Sequence, residues 1–387
     1  MARILCTHQA PLAGCAFAAT LIFSAAPAFA GCNSGDVNNS AVLHGSSCRA
    51  DASGSEATAV GFGALATGHS STALGTTARA QGQNATTVGA FAAQNAGAVE
   101  GATSIGSIAN LNGAGIYSSA IGAGKGLNTG PHSLGSYSIA IGGGDGVNGN
   151  GARADAIFGI AIGLSAQAIG VRSTAIGAFA GVGAAPGNNR NSAFGTEAGQ
   201  NVTGGGNTAT GLASGIGVTG DLNSAFGNSA DVFVTGNNNT AGGVLAGVTV
   251  NGSSNIASGD NAGRNINASH TVAVGTSARA TAENAVAIGR NASSIRARAV
   301  AIGHGSVANA IDTVSVGNNN LRRRIVNVAP GTQPNDAVNL AQLQAATAAL
   351  APTGNAELTA LRALVSRLEA RIAQLEGRVA AAGRAKD

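Results

Sequence analysis

The sequence predicts an all-β solenoid head of stacked coils that ends in a C-terminal helix. Three observations carry this reading. A tripeptide of small or β-branched residues closed by glycine recurs from Ala59 onward, and its glycines stand 14 residues apart at both ends of the array. Glycine makes up 60 of 387 residues and aromatics only 3%, with no tryptophan, so a thick globular core is excluded. A thin repetitive coil closes with such small side chains. After Asn335 the apolar spacing changes from two to three or four, which is the change from strand to helix.

Residues 1–30 read as a secretory signal: Arg3, an apolar centre from Ala16 to Phe23, and Ala28-Phe29-Ala30 as the cleavage site. Cys6 and Cys15 leave with it. Cys32 and Cys48 remain in a segment, 31–56, expected to cap the first coil, and two cysteines in an oxidising compartment suggest one disulfide. The rival is lipidation of Cys32 after Ala30-Gly31.

The head is expected over 57–305. Its tripeptides include Ala-Val-Gly61, Ala-Leu-Gly75, Ala-Ile-Gly163, Ala-Ile-Gly289 and Ala-Ile-Gly303. Fourteen residues accommodate two strands of about five residues and two tight turns. Along Val286-Ala-Ile288 and Val300-Ala-Ile302 one strand face is β-branched and the other is alanine. Both are apolar or small, as in a strand buried on both sides. One would line the coil and the other a neighbouring chain, and the pattern leaves open which.

The middle has a second period. Asn191, Asn207, Asn223, Asn239 and Asn255 fall every 16 residues, as do Val202, Val218, Val234, Val250 and Ile266. Between Gly106 and Gly163 the spacing stretches to 16, 20 and 21, so Gly122 to Lys125 and Gly142 to Gly151 are expected to loop out.

Residues 306–343 join the two periodicities. Val314-Ser-Val316-Gly317 is the last strand. Ile325 and Val328 sit in a short extended run that Pro330-Gly331 interrupts, and Asn335 or Asp336 is placed to cap a helix. The runs Val-Ser-Val-Gly at 314–317, Arg-Ile-Val-Asn-Val-Ala at 324–329 and Asp-Ala-Val-Asn-Leu-Ala-Gln-Leu at 336–343 resemble the neck of YadA-like trimeric autotransporter adhesins. In that resemblance the neck and trimer adaptor falls on Val314, Val316, Gly317, Arg323, Arg324, Ile325, Asn327, Val328, Asp336, Ala337, Val338, Asn339, Gln342 and Leu343. It implies a left-handed parallel β-roll head, and three chains narrowing through the neck into a parallel coiled coil.

A linker is expected over 344–355 and a stalk with its tail over 356–387. Leu358, Val365, Ile372 and Val379 take one core position of a heptad, and Leu361, Leu368 and Leu375 the other. Glu357 with Arg362, and Arg371 with Glu376, are complementary across parallel strands. β-Branched first positions favour dimers in simple peptides; the neck resemblance implies trimers, and a large head can impose its number on a short coil.

Catalytic chemistry finds no support. His44, His69, His132, His270 and His304 are scattered without metal-ligand spacing. Gly122-Ala-Gly-Lys-Gly126 lacks the hydroxyl residue and glycine spacing of a phosphate loop. Gly142 to Asn150 misses the register of calcium-binding nonapeptides. No enzyme activity, cofactor or metal is expected. A net charge of +4 over this length does not point to nucleic acid. Arg279, Arg290, Arg296, Arg298 and Arg322 to Arg324 read as an ion-paired collar or a basic belt for acidic matrix or glycan.

The resemblance implies a homotrimer displayed outside a Gram-negative cell that attaches to extracellular matrix, host surfaces or other bacteria. The family's chains normally end in amphipathic strands that build a shared barrel. No such alternating segments follow Leu343, so no transmembrane segment of its own is expected and retention at the surface stays open. Alternatives are a phage or appendage fibre, an ice-binding solenoid, or a carbohydrate-active β-helix. The last two lack in-register Thr-X-Thr ladders and clustered acidic and aromatic residues, respectively.

Overall fold

The computed structural model describes residues 33–34, 50–185 and 187–384. The expected signal, Cys32 and Cys48 lie outside the described residues. The chain divides into two units, Met1–Arg322 and Arg323–Asp387.

The first unit is a β-solenoid of about 16 turns. Each turn adds one short strand to an 18-stranded sheet, from Thr58–Val60 through Val300–Ile302 to Val314–Ser315. Pairing is parallel throughout, except where Asn33–Ser34 meets Thr58–Val60. The register follows the tripeptide: Ala59 faces Ala73, Ala161 faces Ala175, and Ala287 faces Ala301.

Which strand face lines the coil is settled by size. The central alanine points inward, and Ala73, Ala140, Ala161, Ala273, Ala287 and Ala301 are fully buried. The opposite wall stands close, and besides alanine only the small Thr87 and Ser104 occupy the centre of a three-residue strand. A methyl added at Gly199 would lie 2.9 Å from the Ala193 methyl. The branched residues on either side of each alanine therefore point outward, because successive side chains alternate across a strand. In a single chain that face is not buried.

The glycine closing each tripeptide is required by conformation and by contact. Gly211 has φ +130°, and a Cβ there would sit 2.5 Å from the Gly227 carbonyl oxygen of the next turn. Its equivalents make the same stack along the head.

The remaining wall differs between the two kinds of coil. In the 14-residue coils it is a second short strand, such as Arg279–Ala280, Ser293–Ser294 and Val307–Ala308, paired in parallel. In the 16-residue coils it is a column of buried Val202, Val218, Val234, Val250 and Ile266. The asparagines at the same interval form a buried ladder. Asn223 Oδ1 accepts from the Asn239 backbone N–H at 3.0 Å, and Asn223 Nδ2 donates to the Gly236 carbonyl at 2.9 Å. Asn207, Asn239 and Asn255 repeat both bonds. Each buried amide thereby finds partners that the thin core does not otherwise offer.

In the second unit one helix, α1, runs Leu340–Arg384. It is continuous through 344–355, where a linker was expected. The alanines of that stretch, at 345, 346, 348 and 349, are the best helix formers and carry the helix onward.

Candidate functional site

The outward face of the 18-stranded sheet carries a set of exposed apolar side chains. Ile121, Ile139, Phe194, Phe226, Ile256, Val274, Ile288 and Ile302 are all exposed along it, Ile288 at 41% and Ile302 at 43%. They fall in two rows, each at fixed register from turn to turn: Val88 pairs Ile105, Ile105 pairs Ile121 and Ile288 pairs Ile302 in one, and Ile139 pairs Ile160 and Ile256 pairs Val272 in the other. Scattered apolar residues on a surface are ordinary, but runs of apolar rungs at one register, here interrupted by Thr210, Gly242 and Ser258, mark a candidate interaction face.

The corner leading into these strands carries its own ladder. Tyr117 and Tyr137 stack with centroids 5.7 Å apart, and Tyr137 and Phe158 at 5.5 Å. Arg172 caps the column, 5.8 Å from the Phe158 centroid. At its other end the Tyr117 hydroxyl donates to Glu100, which raises the phenol's pKa. Both tyrosines of the chain belong to this column. Their sequence spacing matches that of Gly122 and Gly142, so the same coil count placed them, a signal the sequence reading missed.

Further along this corner the rungs are polar. Glu283 accepts from the Ser269 backbone N–H at 2.9 Å and pairs with His270 Nδ1 at 3.1 Å, which holds its carboxyl below the usual range. Arg298 grips both oxygens of Asp312 at 2.5 and 2.9 Å. That arginine of the basic stretch is thus engaged within the head, while no ion pair joins Arg279, Arg290 or Arg296 to an acid among the described residues.

Two long loops lie side by side, joined by a parallel bridge between Gly124 and Gly144. Their tips, Leu127 and Val147, are 80% and 84% exposed. Asp145 organises the second loop. Its oxygens accept from the Asn148 and Val147 backbone N–H groups and from Asn148 Nδ2, lowering its pKa to about 2.

In the neck, Val314 lies on the last strand and Val316 just beyond it. Gly317 has no room for a side chain, because a Cβ would lie 2.1 Å from the Leu321 carbonyl oxygen. Asn327 is left-handed with φ +63°. The helix cap differs from the expected Asn335 or Asp336. Asn339 Oδ1 accepts from the Gln342 N–H at 3.0 Å and Gln342 Oε1 accepts from the Asn339 N–H at 3.3 Å, a reciprocal capping box. Asp336 instead closes the preceding turn, accepting from the Thr332 and Gln333 N–H groups at 2.9 Å each. These bonds lower its pKa. Gln342 also exchanges two bonds with Gly331, and Asn339 Nδ2 donates to the Val328 carbonyl. Asn339, Gln342, Gly331 and Val328 are thereby tied together. Arg323 is half-buried, while Arg324, Ile325, Ala337, Val338 and Leu343 are exposed.

On α1 the heptad residues Leu358, Leu361, Val365, Leu368, Ile372, Leu375 and Val379 are exposed, and Leu364 adds to them. Among the described residues there is no group of three metal-ligating side chains, and no helix long and apolar enough to cross a membrane.

A short-runged β-solenoid with an apolar outward sheet, followed by a capped helix with an exposed heptad seam, defines an oligomeric adhesin-type head and stalk. Comparison with known families agrees. The YadA head domain repeat matches at 52–78, 66–92, 149–180, 267–292 and 297–320, and the coiled stalk of trimeric autotransporter adhesins matches at 324–364. The chain thus carries YadA-type head repeats followed by the coiled stalk of trimeric autotransporter adhesins. Among solved structures, the collagen-binding domain of the Yersinia adhesin YadA is similar at 27% identity, covering 54% of this chain and 97% of that one with a TM-score of 0.31. No curated protein matches the chain. Nothing favours a fibre, ice-binding or carbohydrate-active reading.

Proposed function

We propose that three copies of this chain associate through their outward strand faces and stalk seams, and that the assembled head attaches the cell to extracellular matrix or to host or bacterial surfaces without catalysing a reaction. The observation that carries this is the strand ladder. An isolated chain leaves Ile121, Ile139, Phe194, Phe226, Ile288 and Ile302 between 36% and 48% exposed, and covering that remainder recovers somewhat under half of the roughly 1.5–3 kcal/mol that complete burial of such a side chain is worth. Three copies about one axis hide the same face of each and leave no apolar edge. The neck follows the same logic, since Ile325, Val338 and Leu343 are exposed apolar side chains next to a turn held by Asn339 and Gln342.

Export by the amino-terminal signal and display at the cell surface complete the reading. Attachment would use what the trimer leaves outside, including the Leu127 and Val147 loops. The test is solid-phase binding of the purified protein to collagen, fibronectin and host cells. Saturable binding by the intact oligomer, lost when Ile288 and Ile302 are both changed to Asp, supports it. Equal retention of the intact oligomer on matrix, cells and an inert protein-coated surface contradicts it.

A further inference from the structure

Each strand of the outward face runs between two corners of its coil, one at its entry and one at its exit. Arg190 stands at the entry of Ser192–Phe194 and Glu197 at its exit. Both are left-handed, with φ 62° and 60°. Each is locked to the coil before it, for their backbone N–H groups donate to the Val171 and Ala178 carbonyls. Glu283 and Arg290 flank Val286–Ile288 at the same interval. Arg190, Glu197 and Arg290 are exposed, and none of them has an ion-pair partner among the described residues. Glu283 is half engaged, by the Ser269 N–H and His270.

In a ring of parallel copies about an axis along the head, the entry corner of one copy meets the exit corner of the next. Symmetry keeps the two at the same height, so the side chains that meet are those flanking the same strand. Across the three-residue strands from Thr58–Val60 to Val300–Ile302, two have Asp, Glu, Lys or Arg at both corners, and in each the signs oppose. No strand sets like charges together.

We propose, resting on the trimer reading above, that neighbouring protomers are joined along these corners by ion pairs, Arg190 to the partner's Glu197 and Glu283 to the partner's Arg290. Their role is to set register. The apolar rungs repeat from coil to coil, so they bind a copy displaced by one coil almost as well. Displaced so, Arg190 would face Phe179 or Ala213 and lose its partner. A displaced contact also climbs around the axis and cannot close into a ring. Exposed pairs add little affinity, but they select the arrangement in which both are made.

Arg190→Glu and Glu197→Arg, made in the full-length protein, test this at low ionic strength, where exposed charges are least screened. Each variant alone sets like charges together at every interface. Each should raise the dissociation constant by up to about fivefold per contact, read by sedimentation. Mixed, the two variants bring opposite charges together wherever unlike copies adjoin. Oligomers containing both should therefore outnumber the random expectation in native mass spectra of differently tagged chains. Random mixing overturns the proposal, as do single variants that dissociate like the wild type. Should Glu197→Arg fail to fold, Arg290→Glu reads the second pair against Glu283, with weaker association expected and unchanged association contradicting it. A monomeric wild type would overturn the trimer reading itself. An oligomeric wild type indifferent to these variants overturns the corner pairing alone.

Discussion

At the scale of single residues, the head is governed by what can lie inside a coil only a few side chains wide. Alanine is admitted at the centre of most three-residue strands, with Thr87 and Ser104 the exceptions, glycine where two turns meet, and asparagine where a buried amide can bond to the turns above and below. Asn239 makes the point. It accepts from the Asn255 N–H, donates to the Gly252 carbonyl and donates to Asn223 Oδ1. Asn239→Ala should cost about 3 kcal/mol in a denaturant midpoint assay, because buried partners are left unpaired. Asn251→Ala, on the exposed side of the same coils, should stay within about 0.5 kcal/mol. The asparagine period was plain in the sequence. That Asp231 is buried, at the place Gly215 and Gly247 take in the neighbouring coils, is visible only in the fold. Nor could the sequence tell which strand face is inner. Alanine and isoleucine are both apolar, and the choice rests on the distance to the opposite wall.

At the scale of elements, the neck shows how short polar motifs start a helix. The eight residues from Asp336 to Leu343 were recognisable as a unit, yet the cap had to be found by geometry, since Asn335, Asp336 and Asn339 are all competent N-caps. Asn339 prevails because Gln342 lies three residues on and returns the bond. Asn339→Ala should destabilise the start of α1 by about 1 kcal/mol, read as faster amide exchange in its first turn. Asp336 adds a pH dependence. Its pKa is lowered by the Thr332 and Gln333 N–H groups, so its contribution is present above the ordinary value of 3.8 and lost as pH falls through the lowered one. Amide exchange at Thr332 and Gln333 should accelerate in acid, and Asp336→Asn should abolish that dependence. The linker expected over 344–355 gave way to a continuous helix because its alanine-rich sequence favours helix.

At the scale of the whole molecule, the head repeats and the stalk each leave apolar side chains uncovered in a single chain. The strand ladder ends in Ile288, Ile302 and Val314, and the stalk seam runs from Leu358 to Val379, all exposed in one chain. The family, the solenoid and the heptads were legible beforehand because each depends on periodicity, which survives in sequence. The extent of the exposed face was not, because alternation alone does not say what stands opposite it. Changing both Ile288 and Ile302 to Asp places like charges on that face, and should shift the oligomer to monomer while leaving the alanine-lined coil and its far-ultraviolet dichroism in place. The most direct test of the account is the mass of residues 31–387 in solution by sedimentation equilibrium without denaturant. A stable mass about three times that of the chain is predicted; a monomer with the ladder exposed to water would contradict it.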